Sequence, residues 1–217
     1  MMSTSRAAAP RRLPPEQRER SILDGAVSLA SESGLEALTV RAVAARVGVA
    51  PALVAHYRPV MEEFVAEVFT SIVAAERDEV ISSYDPSIDL RGNLLRIIET
   101  LLDDSRDDVA MVWVQSWALG VRNEPLATRV RAEMDLWQSA LEDLIARAVA
   151  EDPRTRVDPG SAAWMLLAMV DGMSAHSLVQ WAPRDRAALA RRTLAAVLDV
   201  PADPLAGSTP ASTPTDS

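Results

Sequence analysis

The side chains best suited to chemistry are few in this chain, and their spacing does not favour catalysis. There is no cysteine, and the two histidines, His56 and His176, lie far apart. A zinc site needs three or four converging nitrogen, sulfur or oxygen ligands, and this set does not supply them. No HExxH, no Ser–His pair in a known motif and no glycine-rich phosphate loop occurs. Asp103, Asp104, Asp107 and Asp108 form an acidic cluster. A cation could sit there, but carboxylates at 107 and 108 equally suit the first turn of a helix, where the dipole favours negative charge. Arg106 would partly neutralise the cluster. The residues therefore imply no enzyme, no metal and no cofactor.

What remains is binding chemistry. Trp113 and Trp117 stand four residues apart and so share one helical face. With Trp137 they either pack a core or wall a pocket for an apolar or cationic ligand. Met111, Met134, Met165 and Met169 add soft side chains that suit an adaptable site. The candidate pocket set is Trp113, Trp117, Met134, Trp137, Met169 and His176. His176 is either a ligand contact or a partly buried, hydrogen-bonded histidine at a helix–helix contact. Trp164 and Trp181 fall on a helix suited to self-association, where tryptophan is a frequent anchor.

All 22 basic residues are arginine, and the net charge is −9. The charge is unevenly spread. Residues 1–60 hold eight arginines and five acids, and residues 61–217 hold fourteen and twenty-six. A small basic head on an acidic body fits a protein that presents one end to a polyanion. No uncharged apolar run reaches the roughly 18 residues of a membrane span, and no apolar h-region follows the N-terminal arginines. The expected location is the cytoplasm, without a membrane partner.

The elements that must position these residues read as helices throughout. Residues 1–14 form a Ser/Ala/Pro/Arg tail expected to be disordered, in which Arg11 and Arg12 could reach phosphates. Periodicity predicts helices over 16–33, 39–48 and 51–57. Gly34 stops the first, Thr39 caps the second, Gly48 ends it, and Pro51 opens the third. A long helix over 61–83 follows, then helices over 87–104, 107–121, 124–150, 160–181 and 183–198. Residues 152–159 read as a polar loop, and 201–217 as a Pro/Ser/Thr-rich disordered tail. That makes three short early helices and six longer ones: an all-α chain with an N-terminal three-helix helix-turn-helix domain over 15–75 and a C-terminal helical bundle for ligand binding and dimerisation over 76–200.

The stretch Leu38–Tyr57, LTVRAVAARVGVAPALVAHY, carries a resemblance. With Ala26, Leu29, Gly34, Thr39, Val40, Val43, Ala44, Val47, Gly48, Val49, Leu53, His56, Tyr57 and Phe64, residues 16–76 resemble the TetR/AcrR family of bacterial transcriptional regulators. Asp171-Gly172, with Trp113 and Trp117, is similar to the C-terminal domains near the choline-responsive repressors. The resemblance implies a homodimer that binds a palindromic double-stranded operator and is released by a small-molecule effector in the body. It places Thr39 and Tyr57 on the DNA backbone, His56 beside them, and Ala50, Pro51, Ala52 and Val54 in the major groove. Four positions depart from the family pattern: Ala50, Ala55, Arg58 and Met61, where hydrogen-bonding, aromatic, aromatic and lysine residues are usual. Arg41 and Arg58 are then the candidate phosphate anchors. The third helix holds almost no bidentate donors, which leaves thymine methyls, backbone contacts and DNA shape to carry specificity. The leading reading is a ligand-responsive repressor. The alternative is a helical ligand-binding or interaction protein whose DNA head is degenerate.

Overall fold

The computed structural model describes residues 14–151, 157–181 and 185–198. Both terminal tails (except Pro14) and most of the expected 152–159 loop lie outside these residues. Among the described residues there are nine α-helices and no strand. They are α1 (Pro15–Ser33), α2 (Val40–Val47), α3 (Pro51–Tyr57), α4 (Met61–Ser82), α5 (Leu90–Leu101), α6 (Asp107–Gly120), α7 (Glu124–Glu151), α8 (Pro159–Leu178) and α9 (Arg186–Val197). Two 3-10 turns, Leu35–Ala37 and Asp104–Arg106, lead into α2 and α6. The first helix is not short: α1 runs for 19 residues.

Local chemistry explains most of the boundaries. Proline opens α1, α3 and α8, where a missing N–H costs nothing because the first-turn donors have no partner in the helix. Five helices are capped by a side-chain oxygen that accepts the third-residue N–H: Thr39 from Ala42, Asp89 from Gly92, Asn123 from Leu126, Asp158 from Ser161 and Asp185 from Ala188. Gly34 (φ 79°) and Gly48 (φ 71°) end α1 and α2 in backbone conformations that glycine adopts without strain.

Four expected boundaries move, among them the end of α5, which stops at Leu101 rather than 104 before the 3-10 turn Asp104–Arg106. α5 begins at Leu90 rather than 87, because Asp89 caps it and Asp85 holds the Ser87 N–H and hydroxyl in a local turn. Buried Asn93 fastens that turn by donating to the carbonyls of Asp85, Ile88 and Asp89. α8 stops at Leu178 rather than 181, where Gln180 turns to φ 59° and the Trp181 N–H closes onto the His176 carbonyl. α9 begins at Arg186, after its Asp185 cap, and not at 183.

The apolar faces close into two cores. One gathers Ile22, Ala26, Val43, Val54, Phe64 and Phe69 of the head with Val112 of α6 and Leu126 and Val130 of α7. The other joins Leu94, Ile98, Leu141, Ile145, Leu166 and Leu194 across α5, α7, α8 and α9. α4 contributes Phe64–Val73 to the first core and Val80 to the second. Trp113 packs against both. Between α4 and α7, buried Glu133 accepts from Arg77, so this acid is paired where it is buried.

Candidate functional site

The head is built so that α3 presents one bare face. The Thr39 hydroxyl accepts the Ala42 N–H at 3.1 Å and keeps its own proton free to donate. Gly48 in the left-handed region lets the Val49 N–H reach the Ala44 carbonyl at 2.9 Å, which turns the chain tightly into α3. On α3, Pro51, Ala52, Ala55 and His56 are exposed, Leu53 and Tyr57 are half-buried, and Val54 is fully buried. His56 lies edge-on to Tyr57, with ring centroids 5.3 Å apart. Arg41 is exposed and has no hydrogen-bond or ion-pair partner among the described residues. Arg46 is held by Glu32 and Ser28 on α1.

A second site lies in the body, between α4, α6, α7 and α8. A recess open to solvent on one side is lined by Trp113, Trp117, Met134 and Trp137. Glu76 of α4, Asp171 and Ser174 of α8, and Arg106 join them. The helical register brings Trp113 and Trp117 to one side, with ring centroids 6.2 Å apart and planes tilted by 36°. Phe69 meets the Trp113 ring edge-on at 5.2 Å. The Trp113 Nε1–H donates to Glu76 Oε2 at 3.1 Å. Arg106 stands 3.8 Å from Glu76 Oε1 and donates to Glu79 at 2.9 Å.

Both carboxylates pay electrostatically for this position. Burial pushes the Glu76 carboxyl above its ordinary value, against the opposing pull of the Trp113 N–H and of Arg106. Burial, with the Glu76 charge added, raises Asp171 to about 6. Two desolvated acids beside three indole faces make a negative, aromatic-walled recess. The guanidinium of Arg106 adds a positive charge to the same lining.

Two family profiles cover most of the chain. Residues 22–68 match the bacterial regulatory proteins of the tetR family, and residues 90–199 match the C-terminal domain of BetI-type transcriptional repressors. The chain belongs to the TetR family of bacterial transcriptional regulators. It is 23% identical over 175 residues to the regulator BetI of Rhizobium meliloti, covering 76% of this chain and 80% of that protein. With BetI of an Escherichia coli strain it shares 22% over 173 residues, 78% of this chain and 86% of the relative. Among solved structures, a transcriptional regulator from Rhodococcus aligns with a TM-score of 0.71 at 21% identity, over 83% of this chain and 96% of its own. A regulator from Saccharomonospora viridis, crystallised with choline, aligns with a TM-score of 0.70 at 20% identity, over 85% and 96%.

Set into this TetR-family fold, several expected site residues change place. Val54 cannot face a groove, because it is fully buried under α3 in the head core. Ala55, its neighbour, takes the exposed position instead. Arg58 is not a free phosphate anchor. Its guanidinium donates to Glu19 at 2.9 Å and to Glu67 at 3.1 Å, lies 5.0 Å from the Phe64 ring centre, and leaves only 15% of the side chain exposed. In the body, Trp113, Trp117, Met134 and Trp137 do meet at one cavity, but Met169 and His176 do not. Met169 packs on the core shared by α5, α7, α8 and α9. His176 is exposed, 4.7 Å from the Trp181 ring, and so is neither a cavity residue nor a partly buried one. Sequence reasoning missed Glu76, Arg106 and Asp171 as cavity residues; for Glu76 a signal was present. An acid within the apolar face of α4, three residues after Val73 and four before Val80, was the available signal.

Proposed function

We propose that this TetR-family chain is a repressor that grips a palindromic operator as a homodimer and releases it when a small organic cation enters the cavity between α4, α6, α7 and α8. The observation that carries the reading is the recess itself: three indoles around one buried and one half-buried carboxylate, with the guanidinium of Arg106 already shared with Glu79. A quaternary or protonated amine there gains cation–π attraction of about 0.5–2 kcal/mol per well-placed ring and relieves the desolvated acids. The choline held by the Saccharomonospora viridis neighbour is a ligand of this kind.

Homodimerisation is supported by Trp164 and Met165 on α8 and Leu189 on α9, large apolar side chains left exposed in the single chain. A two-fold dimer reads a two-fold operator. Thr39, Arg41 and Tyr57 contact phosphates, while Ala50, Pro51, Ala52, Ala55 and His56 face the groove. His56 is the one exposed polar side chain on α3, so thymine methyls and DNA shape supply much of the selectivity. The place of action is the cytoplasm, where the DNA is.

The test starts with duplexes selected from random sequence by the full chain, scored by fluorescence anisotropy across a salt series and then titrated with choline. Enrichment of a palindrome, a steep fall of affinity with salt and release by choline are expected. A flat salt response with no enriched sequence would support the alternative, a helical ligand-binding protein with a degenerate head. That alternative is favoured by the bare surface of α3. Choline binding that leaves operator affinity unchanged would sink the release mechanism.

A further inference from the structure

The cavity and the DNA-binding head share one helix. α6 turns Ala110, Trp113, Val114 and Trp117 toward the cavity. The same helix buries Val112 in the head core. One residue on from Val114, Gln115 leaves the body altogether: its Oε1 accepts the backbone N–H of Glu36 at 3.2 Å.

That contact is shaped on both sides. The 3-10 turn Leu35–Ala37 closes internally through Ala37 N–H to Gly34 and Leu38 N–H to Leu35, which leaves the Glu36 N–H without an acceptor of its own in the turn. Gln115 supplies the acceptor from another element, acting as a cap in trans. The glutamine amide also rests in the space over Gly34. A Cβ there would lie 2.3 to 2.7 Å from the amide oxygen, nitrogen and carbon. The turn held in this way runs straight into Leu38 and Thr39, the cap of α2. A displacement of α6 therefore reaches α2 through one side chain and a few backbone atoms.

We infer that Gln115 is the positioning residue that couples occupancy of the α6 cavity to the orientation of the helix-turn-helix, through its hydrogen bond to the Glu36 N–H. The inference rests on the proposal that a ligand in that cavity controls DNA binding. A ligand that pushes on Trp113 and Trp117 shifts or rotates α6. Gln115 then either drags the 35–37 turn with it or lets go of the turn. Both change the position of α2, and with it α3, relative to the body. Coupling between two sites is a free energy, so it must be measurable as a factor separate from either affinity.

The experiment uses the full-length chain and the operator duplex selected by the wild type, with choline as the probe. Gln115→Met removes the acceptor at similar size, and Gln115→Glu restores an acceptor oxygen. For the wild type, saturating choline should weaken operator binding by a factor within the usual range for allosteric coupling, about 5- to 150-fold. Gln115→Met should bind choline and free operator as the wild type does, yet lose most of that factor, and Gln115→Glu should recover it. A wild-type factor retained in Gln115→Met overturns the inference, and so does loss of choline binding itself, which would make Gln115 a cavity residue.

If choline does not bind the wild type or does not release its DNA, the effector reading fails by itself, and a ligand-independent arm still decides the coupling. Val114→Trp fills the cavity from α6. It should weaken operator binding in the Gln115 background and leave it unchanged in the Gln115→Met background. Equal effects in the two backgrounds, including none in either, overturn the inference.

Discussion

The recognition face and the cavity are opposite kinds of site. α3 is seven residues long, opened by Pro51 and reached by the tight turn at Gly48, and almost free of polar groups on its exposed side. The cavity draws on five helices and a 3-10 turn and concentrates a buried acid, a half-buried acid, a guanidinium and three indoles. A DNA-reading surface can be chemically plain because the duplex supplies shape, methyls and a dense line of phosphates. A small ligand supplies few atoms, so its site must bring the chemistry to it. The contrast also explains where the charge lies. Arginines that look available in the head, Arg46 and Arg58, are consumed in fastening α2 and the α3–α4 junction to their neighbours.

The largest expected effect tests whether head and body are separate at all. Phe69 is fully buried in the head core and touches Trp113, which also packs on the body core. Phe69→Ala should cost about 3–5 kcal/mol from lost burial and an unfilled cavity. Far-UV circular dichroism should then show head and body melting together at a lower temperature. A body that melts at the wild-type temperature would mean that the two cores are independent.

Next comes the electrostatic side of the cavity. Asp171 has a folded-state pKa of about 6, above the ordinary aspartate value. A raised acid contributes stability that is complete below its unfolded pKa and is lost as pH rises through about 6. Asp171→Asn should therefore stabilise the apo protein above that pH, by at most roughly 3 kcal/mol for a shift of about two units, and should not do so near pH 4. Cation binding has the opposite dependence, because it favours the ionised carboxylate. Choline affinity, by calorimetry, should rise as pH increases through about 6 in the wild type. In Asp171→Asn it should be weaker, with that rise gone. A rise that persists in Asp171→Asn would assign the titration to Glu76.

Within the head, Val54 and Ala55 divide support from surface. Val54→Ala should lower stability by about 2 kcal/mol, since two methyl-sized groups leave a closed core. Ala55→Ser should leave the melting temperature nearly unchanged and alter which sequences are selected. A selection profile changed by Val54→Ala and untouched by Ala55→Ser would reverse the assignment. The smallest effect separates the arginines. Arg41→Ala should leave stability within about 0.5 kcal/mol but should reduce the salt slope of DNA binding by about one per binding head. Arg58→Ala should do the converse, lowering the melting temperature through its lost contacts with Glu19, Glu67 and Phe64.

Much of the head was legible in the sequence because its devices are local. Pro51 at a helix start, Thr39 three residues before the N–H it caps, and Gly48 in a left-handed turn each act within a few residues. Their types and spacing alone therefore determine a helix-turn-helix and its boundaries. Periodicity in the same way gave the body its helices, and the shared face of Trp113 and Trp117. Three-dimensional packing decided the rest. A helix of seven residues does not mark in its sequence which side turns inward, so Val54 went to the core and Ala55 to the surface only once α2 and its neighbours packed against α3. Arg58 became structural only because Glu19 and Glu67, far from each other in the chain, converge on it. Glu76, Arg106 and Asp171 meet only when α4, the 3-10 turn before α6, and α8 come together around one cavity. Burial and partner distance set what such groups do, and both are properties of the packed chain that no local stretch of sequence contains.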